Sequence, residues 1–254
     1  MKGKIYHIDS KLASDFLMPK HYSGRKPNVS LAFGWYSQVC EDGLPDEKYL
    51  MAVCTFGKPA SNTLCDGIAG KEHSHKVYEL NRLCRLDEWG EPLSQFVSGC
   101  LRRIKNSKQW IIVSYADTGM GHNGYIYQAC NFIYTGATKK RLEFHVQNGH
   151  SRHGSKNSGL RQIRTSKHRY VFLAVKDKRL KKDIERSLRY EAQKYPKGVN
   201  RNYDLGFVLK PEVVEYEKSI IRFDKNDSCE TLEFENLTDE PSKRGIRLEG
   251  LNVN

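Results

Sequence analysis

The feature that most constrains the fold is a long amphipathic stripe set between two short β-type runs. Leu93, Phe96, Val97, Cys100, Leu101 and Ile104 recur at helical spacing, so a helix there has one apolar face that must be buried. Pro92 suits its first turn, where the missing N–H costs nothing. Upstream, Lys76 to Leu83 alternates Val77, Glu79 and Asn81 with Tyr78, Leu80 and Arg82, as a strand does. Downstream, Trp110 to Ser114 is a β-type run that turns polar at Asp117 and meets Gly119, Gly121 and Gly124. A short helix through Tyr125 to Cys130 and a strand from Phe132 to Thr135, ended by Gly136, are expected next. This order is that of an α/β sheet, in which ligands gather at the carboxyl ends of strands. Arg82, Ser94, Asp117 and Tyr127 are expected to converge there.

Other strands are expected at Val29 to Tyr36, Tyr49 to Phe56, Arg169 to Val175 and Leu205 to Leu209. The second runs into Gly57-Lys-Pro-Ala-Ser61, a turn-forming loop. Leu180, Ile184 and Leu188 mark a basic amphipathic helix. The stretch from Gln147 to Ser166 is rich in Gly, Ser, Asn, Arg and His and reads as a loop or mobile arm. Beyond Lys225 the pattern weakens. The expected organisation is one catalytic domain over 1–210, with a basic arm at about 139–168 inside it, and a C-terminal extension over 211–254.

Charge is concentrated. Between Lys139 and Arg189 stand sixteen Lys and Arg against four acids, which accounts for the whole formal charge of +12. Such a field attracts polyphosphate, so double-stranded DNA is the expected partner, with Lys139, Lys140, Arg141, Lys167 and Arg169 as candidate contacts. A solvated basic face is the plainer reading. The longest apolar runs are strand-sized, far short of the ~20 residues a bilayer needs. With no apolar leader at the N-terminus, a cytoplasmic protein without a membrane partner is expected. The seven cysteines show no CxxC or zinc-like spacing and read as buried small hydrophobes. His73, His75, His145, His150 and His153 lie in polar sequence without carboxylate or cysteine spacing that would support a metal.

The string SYADTGMGHNGYIYQACNFIYTG, Ser114 to Gly136, resembles the signature of the phage Mom family of DNA adenine-modification proteins. His21-Tyr22-Ser23, TFGKPAS, ELNRL at Glu79 to Leu83 and KHRYVF at Lys167 to Phe172 extend the resemblance in the same order. It implies a GNAT-like fold: a mixed central sheet flanked by helices and splayed between two central parallel strands to admit an acyl-CoA-type donor. This chain departs from the GNAT pyrophosphate loop, because the connection before the long helix holds only Gly90. A helix N-terminus still offers N–H groups to phosphate. The resemblance further implies a transferase that places a carbamoylmethyl group on N6 of adenine in DNA and protects phage DNA from restriction. Arg82 and Ser94, with Gln95 beside it, would contact donor or substrate, and Asp117 and Tyr127 would sit at the reacting centre. Iron is implied too, with Asp117, Tyr127 and His21 as the matching ligands.

Each residue has a plainer reading. Asp117 is either a base or the cap of its own turn, and Tyr127 either a proton donor, ligand or stacking platform or a buried aromatic. Arg82 is an anion fork or the partner of Glu79 or Asp87, and Ser94 an anion contact or a helix cap. Tyr125, Tyr127 and Tyr134 are candidates to stack on an extruded base. The rival functions are a GNAT-type N-acyltransferase acting on a tRNA or protein amine, and a non-catalytic DNA-binding protein. A nuclease is disfavoured because Gly124-Tyr-Ile-Tyr127 has no partner motif. A homodimer is among the oligomeric states left open.

Overall fold

A computed structural model describes residues 3–23, 25–145, 160–199, 201, 212–215, 220–223, 229–232 and 246–247. In chain order they form β1 (Lys4–Ile8), α1 (Ser10–Leu17), β2 (Leu31–Tyr36), β3 (Leu50–Gly57), α2 (Asn62–His73), β4 (Val77–Arg85), α3 (Leu93–Ser107), β5 (Trp110–Asp117), α4 (Tyr125–Ala129) and β6 (Ile133–Ala137). There follow β7 (Arg141–Phe144), β8 (Leu160–Arg164), β9 (Lys167–Ala174), α5 (Lys178–Ser187) and the short strands β10 (Val213–Glu215), β11 (Ile220–Phe223), β12 (Cys229–Leu232) and β13 (Ile246–Arg247). The chain divides into two compact units. The first holds Met1–Ala116, Met120–Gly136 and His168–Leu209, the second Asp117–Gly119, Ala137–Lys167 and Lys210–Asn254.

The first unit is built on a seven-stranded sheet in the order β1-β2-β3-β4-β5-β9-β6. Strands β1 to β4 pair antiparallel, while β4 and β5 pair parallel across α3. The strand period of two assigns the β5 core: Ile112 packs with Phe96, Val97, Cys100 and Ile104 of α3, whereas Ile111 and Val113 pack with Ile68 of α2 and Ile184 of α5. Both faces of β5 are thus covered by helices, which is why its sequence is a continuous apolar run rather than an alternation. The predicted α3, α4 and α5 are present, with Pro92 as the N-cap of α3 rather than its first residue.

The parallel ladder is short. It joins Val77 to Ile111, Tyr78 to Ile112 and Glu79 to Val113 and stops. One residue later β4 bulges: Thr55 faces Arg82 and Phe56 faces Leu80, so Asn81 is extra. Its side chain pins the bulge, accepting from the Thr55 hydroxyl at 2.6 Å and donating to the Asn28 carbonyl at 2.8 Å. The simple alternation expected along β4 therefore fails, and its buried residues are Val77, Leu80 and Cys84.

Three elements of the first unit escape the sequence reading: β1, α1 and α2. Ser61 caps α2 through the Leu64 N–H, but the helix breaks at Ala69 and Gly70, where Gly70 adopts φ 70 and ψ 169. That break destroys a sustained apolar stripe. In the second unit, β10-β8-β7-β13 form one sheet and β11-β12 another. Leu160–Arg164, expected to be loop, is a strand paired with β7 and β10. Its alternation is masked because an inward position is an arginine: Arg161 is 5% exposed and lies over the Phe144 ring at 4.4 Å. These pairings join the strands of the basic arm, β7 and β8, to the C-terminal strands β10 and β13. The strand expected at Leu205 to Leu209 and most of Gln147 to Ser166 lie outside the described residues.

Gly124 starts α4 at φ 74, and a Cβ there would meet the Tyr170 ring well inside van der Waals contact. Gly124→Ala should cost about 1–2 kcal/mol in backbone strain alone. Thermal unfolding should show it as a loss of roughly 2–4 °C per kcal/mol in a chain of this size.

Candidate active site at the parted strands

Where β4 leaves β5, the buried Ser114 fills the gap in hydrogen bonding. Its hydroxyl donates to the Leu80 carbonyl at 2.9 Å, a carbonyl facing the neighbour strand that has just moved away. With that proton committed, the Ser114 oxygen is left to accept from the Tyr127 phenol, its hydrogen-bond partner across the gap.

Tyr127 is held there by α4. Its N–H bonds to the Gly124 carbonyl at 2.9 Å, and its ring packs on Phe132 and Tyr170, each with centroids 5.3 Å away. Gln128 ties the same turn down by donating to the Asn123 carbonyl and the Tyr170 hydroxyl. Burial pushes the Tyr127 phenol well above the ordinary tyrosine range. At neutral pH it is a proton donor and not a phenolate.

Arg82 follows the bulge on β4. Its guanidinium donates to the carbonyls of Asn81 at 2.6 Å and Arg25 at 3.3 Å. Among the described residues its buried Nε–H has no acceptor, an uncommon state that suits an incoming anionic oxygen. Burial works against the charge of Arg82, while Tyr22 and Glu79 favour it.

The chain leaving α1 adds His21 and Tyr22. Their rings stack at 4.4 Å, and His122 meets Tyr22 edge-on at 6.0 Å. The Ser23 N–H donates to His21 Nδ1 at 3.1 Å, so in this arrangement the ring proton sits on Nε2. Burial, reinforced by Arg82 and His122, lowers the His21 pKa from 6.5 to about 3.

Ser94 is the second residue of α3 and not its cap; Pro92 precedes the helix without a side-chain cap. The Ser94 carbonyl accepts from the Cys130 thiol at 3.3 Å, and Cys130 closes α4, so Ser94 supports the helix that carries Tyr127. Gln95 is exposed beside it.

Residues 3–197 match the sequence model of the Mom protein family. The chain belongs to that family. No curated protein matches it in sequence. Among solved structures it is similar to a GNAT superfamily phosphinothricin acetyltransferase from Sinorhizobium meliloti in complex with acetyl-CoA, at 8% identity, TM-score 0.42 and coverage of 70% of this chain and 92% of that one. A spermidine/spermine N-acetyltransferase from Vibrio cholerae in complex with manganese ions is similar at 11% identity and TM-score 0.41, covering 71% and 96%. At these identities and scores the likeness carries no functional weight. The fold is nonetheless the GNAT-like one implied for the Mom family, by its own topology: a mixed sheet flanked by helices, with a parallel pair, β4 and β5, that parts.

For a Mom protein the expected iron ligands were Asp117, Tyr127 and His21, and as they stand these side chains do not suit a metal. Asp117, in the second unit, accepts from the Gly119 N–H at 3.0 Å and the Thr165 hydroxyl at 2.5 Å, and pairs with the Lys167 ammonium at 2.9 Å. Burial alone would raise its pKa, but Lys167, Thr165 and Gly119 together bring it below the usual aspartate range. It is a satisfied anion and a weak base. His21 Nδ1 already serves as an acceptor.

Among the candidate DNA contacts, Lys139 is exposed and Lys140 and Arg141 are half-buried. Lys167 pairs with Asp117, while Arg169 donates to Thr135 and lies over the Tyr190 ring at 3.3 Å. Asn81, Tyr22 and the role of Ser114 were missed in the sequence. For Asn81 and Ser114 the available signal was a polar residue interrupting a strand. Among the described residues, no helix is long and apolar enough to cross a membrane.

The unfolded chain protonates His21 near 6.5 and the folded one only near 3, so the unfolded state binds more protons between those values. The stability tied to His21 is complete above 6.5 and declines as pH falls toward 3. Thermal unfolding of His21→Gln at pH 7 and at pH 4.5 should show a smaller drop than wild type.

Proposed function

We propose that this Mom family protein is a transferase that places a carbamoylmethyl group on N6 of adenine in DNA, shielding that DNA from restriction. The observation that carries the reading is the gap between β4 and β5, where the Arg82 guanidinium and the neutral Tyr127 phenol stand beside the parted parallel strands.

The adenine amine is a poor nucleophile because its lone pair is delocalised into the ring. The donor must therefore be activated from its own side. Arg82, with a buried N–H still to satisfy, binds an anionic oxygen of the donor. Tyr127 gives a proton to the departing group as the new carbon–nitrogen bond forms, and the phenolate left behind takes the proton that N6 loses, restoring the phenol. Acyl transfer from acetyl-CoA alone would leave an amide on N6, whereas carbamoylmethyl arrives through a methylene carbon and carries an extra nitrogen. The donor is thus more than a simple thioester.

To reach this site the adenine leaves the duplex. Tyr125 is the stacking candidate that remains accessible, at 43% exposed, whereas Tyr134 is buried. Phosphate contacts fall to Lys139, Lys140 and Arg141. Neutralising these three together should weaken DNA binding and lower the slope of log K against log salt by roughly 2–3; an unchanged slope would remove them from the interface.

Mass spectrometry of nucleosides from DNA and RNA of expressing cells tests the reaction. A modified deoxyadenosine in DNA, reduced about 100-fold in Tyr127→Phe, is expected. A modified nucleoside confined to RNA would favour the tRNA-directed acyltransferase, and no modified nucleoside in either would refute the reading.

A further inference from the structure

On the sheet face opposite α3, the break in α2 brings together three metal-ligating side chains. Gly70, at φ 70 and ψ 169, takes a conformation that side-chain-bearing residues rarely adopt, and the chain beyond it carries Glu72 and His73 against α5. His73 is 4% exposed, and its Nε2 lies 3.1 Å from Oδ2 of Asp183, 110 residues away in sequence. Glu72 completes the group, with one ligand atom from each residue within 4.8 Å of the other two. The Glu72 side chain forms no ion pair or hydrogen bond among the described residues.

We propose that Glu72, His73 and Asp183 bind a divalent transition-metal ion, a site separate from the gap between β4 and β5. Two carboxylates gathered this closely repel each other unless positive charge stands between them. An imidazole with two carboxylates is a borderline donor set that suits zinc, cobalt, nickel or manganese rather than calcium or magnesium. Tetrahedral ligands on bonds of about 2.1 Å stand roughly 3.4 Å apart. Glu72 and Asp183 are exposed, so side-chain rotation alone can close that distance around the ion while the buried imidazole stays fixed. Three protein ligands leave a further position to water. The ion would clip α5 to α2, and α5 exposes Lys178, Arg179, Lys181, Lys182 and Arg186. Histidine spacing alone did not suggest a metal here, because the supporting carboxylate lies far along the chain.

Titration of the full-length protein with Co2+ tests the site. One equivalent should bind with visible absorption typical of nitrogen and oxygen ligands, without a thiolate charge-transfer band. Glu72→Gln and Asp183→Asn alter exposed side chains, the second keeping an oxygen to accept from the His73 ring, and each should weaken binding at least tenfold. Saturating Co2+ should also raise the melting temperature of wild type and not of Glu72→Gln. No saturable binding, a thiolate spectrum, or an unchanged titration in both variants would overturn the proposal.

Discussion

The site depends on one break in backbone pairing, the point after Glu79 and Val113 where β4 and β5 stop sharing hydrogen bonds. A buried backbone group without a partner is costly, and two side chains meet that cost. Asn81 stabilises the bulge that turns β4 aside, and Ser114 supplies the donor that Leu80 would otherwise lack. The same serine oxygen then holds the Tyr127 phenol. Strand parting, phenol placement and the exposure of Arg82 to a ligand are therefore one local arrangement, braced by helices that cover both faces of β5.

Electrostatics divides the candidate residues into two kinds. Tyr127 and His21 are kept neutral by burial, and both remain so across the physiological range. Asp117 is kept ionised by Lys167 and two hydrogen bonds. A neutral phenol can give a proton, whereas a carboxylate already satisfied by three donors gains little by taking one. Asp117 thus orders its own turn and the strand start at Lys167.

What could be read in the sequence follows the same physics. The α3 stripe and the β5 run were legible because burial on one or both faces leaves a period in the chain. Weak or broken periods hid the rest: α2 is interrupted at Gly70, β8 turns an arginine inward, and β4 slips phase at Asn81. Arg82 and Tyr127 could be singled out as residues, but not the serine that joins strand to phenol. Ser114 looks like the end of an apolar run until the strand beside it is known. Likewise the partners of Asp117 and His73 lie at Lys167 and Asp183, beyond the reach of local spacing.

The most direct test of this account is the rate of adenine modification by Ser114→Ala on a defined DNA substrate. Removing the hydroxyl leaves the Leu80 carbonyl without its donor and the Tyr127 phenol without its acceptor, at a stability cost of about 1–3 kcal/mol. The account predicts a protein that still folds, with thermal unfolding only moderately lowered, and a rate of product formation at least tenfold below wild type. A folded Ser114→Ala protein with full activity would contradict the claim that the parted strands hold the working centre.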